Sequence, residues 1–178
     1  MNLQMLYLDA SRFNGSIPRS IGNLSKLTHL SLGENHLKSK TFAFIQSKLP
    51  CMSALSNLEG LHLWDNNLSG SSPDSISNAS KLRQLELAQN FFSGLIPNAL
   101  GNLKSLQVFD VSTSKIRGSI RIEIGSLNNV IALDFYGNEL SGSIPRKIRR
   151  LKNIQYVDFG GNKLQGPIPH GLCGLKRL

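Results

Sequence analysis

Residues 130–148 read VIALDFYGNELSGSIPRKI. Apolar residues stand eight, five and three places before Asn138, at Val130, Leu133 and Phe135. After it come Leu140, Gly142, Ile144 and Pro145. None of these residues brings acid–base or nucleophilic chemistry, so the spacing calls for a structural explanation. The same frame returns along the chain. Anchored on the Asn position, it recurs at Ser11, Asn35, Asn66, Asn90, Ser114, Asn138 and Asn162, at intervals of 24, 31, 24, 24, 24 and 24 residues. LxxLxLxxN thus appears seven times, and self-similarity at a fixed period is the signature of a solenoid.

The LxL pair alternates with period two and reads as a short strand with one buried face. One strand per repeat gives a stack of parallel strands about 4.8 Å apart. The anchor Asn leaves the strand where backbone groups lack partners, and a buried carboxamide satisfies them in its own and the neighbouring coil. Asn35, Asn66, Asn90, Asn138 and Asn162 are expected to form such a ladder, with Ser11 and Ser114 too short to match it. Gly15, Gly70, Gly94, Gly118, Gly142 and Gly166 read as turn residues, and the Pro fixes the return path. The fold class expected is an α/β solenoid of 24-residue repeats: a right-handed curved superhelix with its parallel sheet on the concave face. A single domain fills residues 1–178, with about seven repeats and no caps. The second repeat is lengthened by an insertion around 38–57 (KSKTFAFIQSKLPCMSALSN), expected to bulge as a loop or short helix. In the fifth repeat Arg121 replaces the usual Pro, a small local loss.

Composition narrows the function. The chain has 178 residues, is 40% hydrophobic and 7% aromatic, and carries a formal net charge of +9. Such charge fits nucleic acid, a membrane surface or a solvated face. The basic run Arg146, Lys147, Arg149, Arg150, Lys152 falls on the convex side and lacks the interleaved aromatics that stack bases. No nucleic acid is expected. Cys51 and Cys173 sit several coils apart, beyond disulfide reach, and no Cys/His cluster has metal spacing. No cofactor is implied. There is no membrane-length apolar run and no signal peptide at the start.

The stretches FFSGLIPNALGNLKSL and FNGSIPRSIGNLSKL carry a family resemblance. They resemble the plant-type leucine-rich repeat of receptor-like kinase and receptor-like protein ectodomains and of polygalacturonase inhibitors. FAFIQSKLPC followed by LEGLHLWDNNLSGSSPDSISN is similar to the subfamily containing the flagellin and elongation-factor peptide receptors. The resemblance implies an extracellular segment recognising a peptide or protein ligand in defence or developmental signalling. A co-receptor kinase with leucine-rich repeats would be a further partner, and the parent protein would lie at the plasma membrane, facing outward. Kinase motifs (GxGxxG, VAIK, HRD, DFG) do not occur, so the chain reads as an internal fragment without the kinase domain and not as an enzyme. Membrane attachment would come only through other parts of the parent. The alternatives are an enzyme-inhibiting module like the polygalacturonase inhibitors, or a truncated product without a function of its own.

Strand alternation sends the residues six, four, two and one places before each anchor to the concave face. Of these 28 positions seven are acidic and none is Lys or Arg. The ligand-binding residues expected are Tyr7, His62, Trp64, Glu86, Asp110, Asp134, Tyr136, Tyr156 and Asp158, meeting an extended segment with basic side chains anchored near Trp64. Asp four places before the anchor is usual in repeats of this kind, which accounts for Asp110, Asp134 and Asp158 without a ligand but not for the missing Lys and Arg. Four N-x-[ST] sequons, at Asn14, Asn23, Asn67 and Asn78, are glycosylation candidates.

Overall fold

The computed structural model describes residues 2–38, 56–71, 76 and 78–173. Most of the insertion expected at 38–57, Cys51 and the side chain of Cys173 lie outside the described residues. Seven strands, Met5–Tyr7, His29–Ser31, Gly60–His62, Gln84–Glu86, Val108–Asp110, Ala132–Asp134 and Tyr156–Asp158, pair in parallel in chain order. Each is the LxL step of one repeat, paired residue for residue with the next: Leu61 with Leu85, Leu85 with Phe109, Leu133 with Val157. The lengthened repeat leaves this register intact, since Leu30 still pairs with Leu61.

The strand exits repeat as well. The residue before each anchor takes a left-handed conformation: Ala10, Glu34, Asp65, Gln89 and Thr113 at φ between 49 and 53°, Gly137 at 66° and Gly161 at 63°. Non-glycine residues resist this region. Here backbone bonds to the next coil hold them: the N–H of Glu34 donates to Trp64 O at 3.0 Å and that of Thr113 to Tyr136 O at 2.7 Å. The Asn ladder follows. Asn138 Oδ1 accepts the Ile116 N–H at 2.9 Å, and Nδ2 donates to Val111 O in the preceding coil at 2.9 Å and to Phe135 O and Tyr136 O of its own. Asn35, Asn66 and Asn90 are equally buried, while Asn162 makes the same bonds half-buried.

A second sheet corrects the reading of the glycine step as a plain turn. Ser69–Ser71, Phe91–Leu95, Lys115–Ser119, Glu139–Gly142 and Lys163–Leu164 form five parallel strands, and Asn14–Gly15 pairs with His36–Leu37. Pairing here is staggered: Gly94 meets Ile116 and Gly118 meets Leu140. Gly118 is required by its φ of 79°, a conformation that residues with a Cβ rarely adopt.

The return path is a 3-10 helix, which the sequence reading did not anticipate. Four are described: Arg19–Asn23, Asn98–Asn102, Ile122–Ser126 and Arg146–Arg150. Pro18, Pro97 and Pro145 lead into three of them with extended backbones. Arg121 leads into the fourth with φ −73° and ψ 145°, beside −70° and 136° at Pro145. Adjacent helices approach closely, so that a Cβ on Gly125 would lie 2.5 Å from Lys147 O. A second polar ladder stitches this back edge: Asn129 Nδ2 donates to Lys104 O at 2.8 Å and Asn153 Nδ2 to Asn128 O at 2.9 Å.

Between the layers runs one apolar column. Leu58, Leu61, Leu82, Leu85, Leu106, Val130 and Leu133 are all but sealed from solvent, each contributing about 1.5–3 kcal/mol. Phe109, Phe135 and Phe159 extend it, with ring centroids 5.4 and 5.7 Å apart. In the first coil Leu3 is exposed and Leu6 and Leu8 only partly covered.

Candidate recognition surface

Perfect strand register turns each sequence position into a column across the sheet face. In the column four places before the anchors, His62, Glu86, Asp110, Asp134 and Asp158 stand side by side, about 4.8 Å apart. The aspartates are held by the chain itself. Asp110 Oδ1 accepts the Ser112 N–H at 2.8 Å, Asp134 Oδ1 that of Tyr136 at 2.9 Å and Asp158 Oδ1 that of Gly160 at 2.7 Å. One carboxylate oxygen thus fastens the strand exit, a structural reason for Asp at this place. The other oxygen of Asp134, Oδ2, receives the Tyr156 hydroxyl at 3.0 Å, with Asp158 Oδ2 at 3.5 Å from the same hydroxyl.

Electrostatics follow from this crowding. Burial pushes the Asp110 carboxyl above its ordinary 3.8, with Asp134 and Glu86 adding repulsion against the opposing hydrogen bonds from Ser112. The Tyr156 phenol is pushed up to about 12, first by its hydrogen bond to Asp134. His62 Nδ1 lies 3.0 Å from Glu86 Oε2, so Nδ1 is the donor and the imidazole is aimed along the column.

The expected ligand residues divide into groups. Glu86, Asp110, Asp134, Asp158, Tyr136 and Tyr156 form one continuous strip, with both tyrosines exposed at 51% and 47%. His62 joins it through Glu86. Tyr7, 57% exposed, stands alone in the first coil, far along the sheet. Trp64 is a correction. It is half-buried, not an exposed anchor, because its indole lies over Gly33 one coil back: a Cβ there would be 2.7 Å from Trp64 Nε1. Gly60 similarly leaves room for the rings of His29 and His62.

Position one before the anchor is also corrected. Its left-handed backbone takes Glu34, Asp65, Gln89 and Thr113 off the sheet face to a rim groove of about 670 Å³ shared with His36, Asn67 and Phe91. The sheet-face acids proper are Asp9, Glu86, Asp110, Asp134 and Asp158, and Asp9 is engaged by Ser31 and the Gly33 N–H. All four sequon residues, Asn14, Asn23, Asn67 and Asn78, are exposed. Among the described residues no cluster of His, Cys, Asp or Glu is arranged to hold a metal ion, and no helix is long and apolar enough to cross a membrane.

Two family models described as leucine-rich repeat match the chain, one over residues 56–116 and the other over 2–24 and 153–175, together more than half of it. The chain belongs to the leucine-rich-repeat family. Among solved structures this leucine-rich-repeat chain is similar to a TDR receptor, at 32% identity and TM-score 0.90, over 99% of this chain and 29% of that one. It is similar to the leucine-rich-repeat ectodomain of the Arabidopsis receptor kinase HAESA in complex with an extended IDA peptide hormone, at 31% identity and TM-score 0.87, over 96% and 27%. HAESA is also known in complex with IDA and the co-receptor SERK1. A plant ice-binding protein matches at 26% identity and TM-score 0.70, over 95% and 59%. A search of the curated proteins returns no match. The chain spans less than a third of either receptor chain it resembles.

Proposed function

We propose that this chain is an extracellular ligand-recognition segment of a plant receptor kinase or receptor-like protein, and that its sheet face receives an extended peptide or protein segment bearing basic side chains. The observation that carries the reading is the in-register run Glu86–Asp110–Asp134–Asp158, flanked by exposed Tyr136 and Tyr156 on a face without Lys or Arg. A chain lying across the strands meets one carboxylate per coil, and aromatic rims of this kind concentrate binding energy. Backbone bonds to one carboxylate oxygen of Asp110, Asp134 and Asp158 hold the strip in a fixed arrangement, which suits recognition. Likeness to HAESA, solved with a peptide and with a co-receptor, supports a second partner of the co-receptor type.

The test uses a panel of extended peptides with Lys or Arg at alternate positions, against wild type and an Asp110→Lys/Asp134→Lys variant. Binding should be salt-sensitive and weaken about tenfold or more in the variant. Equal binding by the variant, or by acidic analogues of the peptides, removes the sheet face from the reading.

A further inference from the structure

Basic charge in the sixth coil is concentrated on its outer edge. Arg146, Lys147, Arg149 and Arg150 occupy one 3-10 helix, and Lys152 follows it. Such a helix has three residues per turn, so residues three apart eclipse. Ile148 and Leu151 accordingly share the inward edge, both fully buried. Arg146 then stacks with Arg149, and Lys147 with Arg150, in two cationic rows whose members are about 6 Å apart. None of the five joins the ion pairs found among the described residues, which involve His62, Arg83 and Lys163. Like charges at this spacing repel. The fold does not require them, since the equivalent helices Asn98–Asn102 and Ile122–Ser126 contain no basic residue.

Two further observations mark this surface as open to a partner. Asn23 and Asn78 lie at corresponding outer positions of the first and third coils, both in sequons and both exposed. The corresponding residues of later coils, Asn102, Ser126 and Arg150, are in none, so glycans would leave the sixth coil bare. Arg146 and Arg149 also border a cleft of about 490 Å³ with His170 and an apolar rim of Pro167, Ile168 and Pro169, on which Ile168 is 76% exposed.

We propose that this outer face binds a linear polyuronate, an acidic polysaccharide with one carboxylate on each sugar ring. Two rows of cations suit a string of evenly spaced carboxylates, guanidinium groups grip carboxylates bidentately, and the exposed apolar rim suits the C–H face of a pyranose ring. Nucleic acid would call for stacking aromatics, and the run has none. This site is separate from the sheet face and stands whether or not a basic peptide binds there.

The test is titration of the 178-residue chain with oligogalacturonate at low and moderate salt. Arg146→Gln/Arg149→Gln/Arg150→Gln should weaken binding about tenfold or more, and Arg149→Gln alone by less in the same direction. Arg12→Gln/Lys26→Gln/Lys38→Gln, which removes equal charge elsewhere, should change it by no more than about twofold. The fully methyl-esterified oligomer should not bind. The proposal is overturned if wild type does not bind, if the control variant loses as much as the first, or if polyglutamate or duplex DNA binds as tightly as the oligogalacturonate. Far-UV dichroism and thermal midpoints confirm that the variants, all at exposed positions, remain folded.

Discussion

Asn138 reaches back to the carbonyl of Val111 at 2.9 Å, whereas Ser114, at the same position one coil earlier, has its Oγ buried without a partner. The ladder that runs through the solenoid is interrupted at that rung. A hydroxyl stops short of the acceptors a carboxamide reaches, and a buried polar atom left unpaired is costly.

Ser114→Asn should therefore stabilise the chain by about 1 kcal/mol, and Asn138→Ala should destabilise it by about 1–3 kcal/mol. Thermal midpoints decide the matter, at about 2–4 °C per kcal/mol for a chain of this size. A midpoint for Asn138→Ala no lower than that of an exposed Ser change would contradict the ladder.

Arg121 presents a second local defect. Its backbone already has the dihedrals of Pro97 and Pro145, and its Nε is buried without a partner. Arg121→Pro removes the orphaned donor and narrows the unfolded ensemble, so a gain of about 0.4–1 kcal/mol is expected. Denaturant unfolding should show a higher midpoint with unchanged slope; a lower midpoint would mean that the Arg stem packs more usefully than a proline ring.

Much of this architecture was legible in the chain because burial dictates it. Leu82, Leu85 and Leu87 read as the inward side of a strand and its approaches, and all three are buried, while Asn90 reads as a corner ligand for backbone groups. The second sheet was hidden for a physical reason. Gly94 and Gly118 at positive φ look like turn residues, and their strands pair with a stagger that breaks the 24-residue alignment. Glu34, Asp65, Gln89 and Thr113 gave no hint of a left-handed backbone, because bonds to the next coil impose it against their own preference. The candidate strip Glu86–Asp158 was readable from strand alternation. The partial burial of Trp64 is not legible in the sequence, because its indole lies over Gly33, a neighbour only once the register is known.

Asp110 ties the strip to pH. Its folded-state pKa is raised, so the native state holds the proton more tightly than the unfolded chain does. The stability this contributes is fully present below the ordinary value of 3.8 and is lost as pH rises through the raised folded value. Asp110→Asn keeps an oxygen to accept the Ser112 N–H and removes the charge crowded by Asp134 and Glu86. Its stability relative to wild type should rise with pH across that window and level off above it. Urea midpoints measured from pH 3 to pH 7 would reveal this; a constant difference between the two proteins would place the cause in packing and not in charge.

Tyr156 offers a reading of the same strip from the phenol's side. Asp134 Oδ2 accepts its hydroxyl at 3.0 Å, and the phenol is pushed up to about 12. The hydrogen bond favours the protonated form, so its contribution is intact below the ordinary value of 10.0 and is lost as pH rises toward about 12. Alkaline titration followed by phenolate absorbance should show a late component that vanishes in Tyr156→Phe and moves back toward 10.0 in Asp134→Asn. A basic side chain arriving at Asp134 would compete for the oxygen that holds Tyr156, and its positive charge would itself favour the phenolate. Saturation with an arginine-bearing peptide, whose guanidinium keeps its charge across that range, should then move the late component downward. If the component stays in place while the peptide is bound, the peptide does not sit on Asp134, and the fourth and fifth coils would have to carry the contact through Glu86 and Asp110.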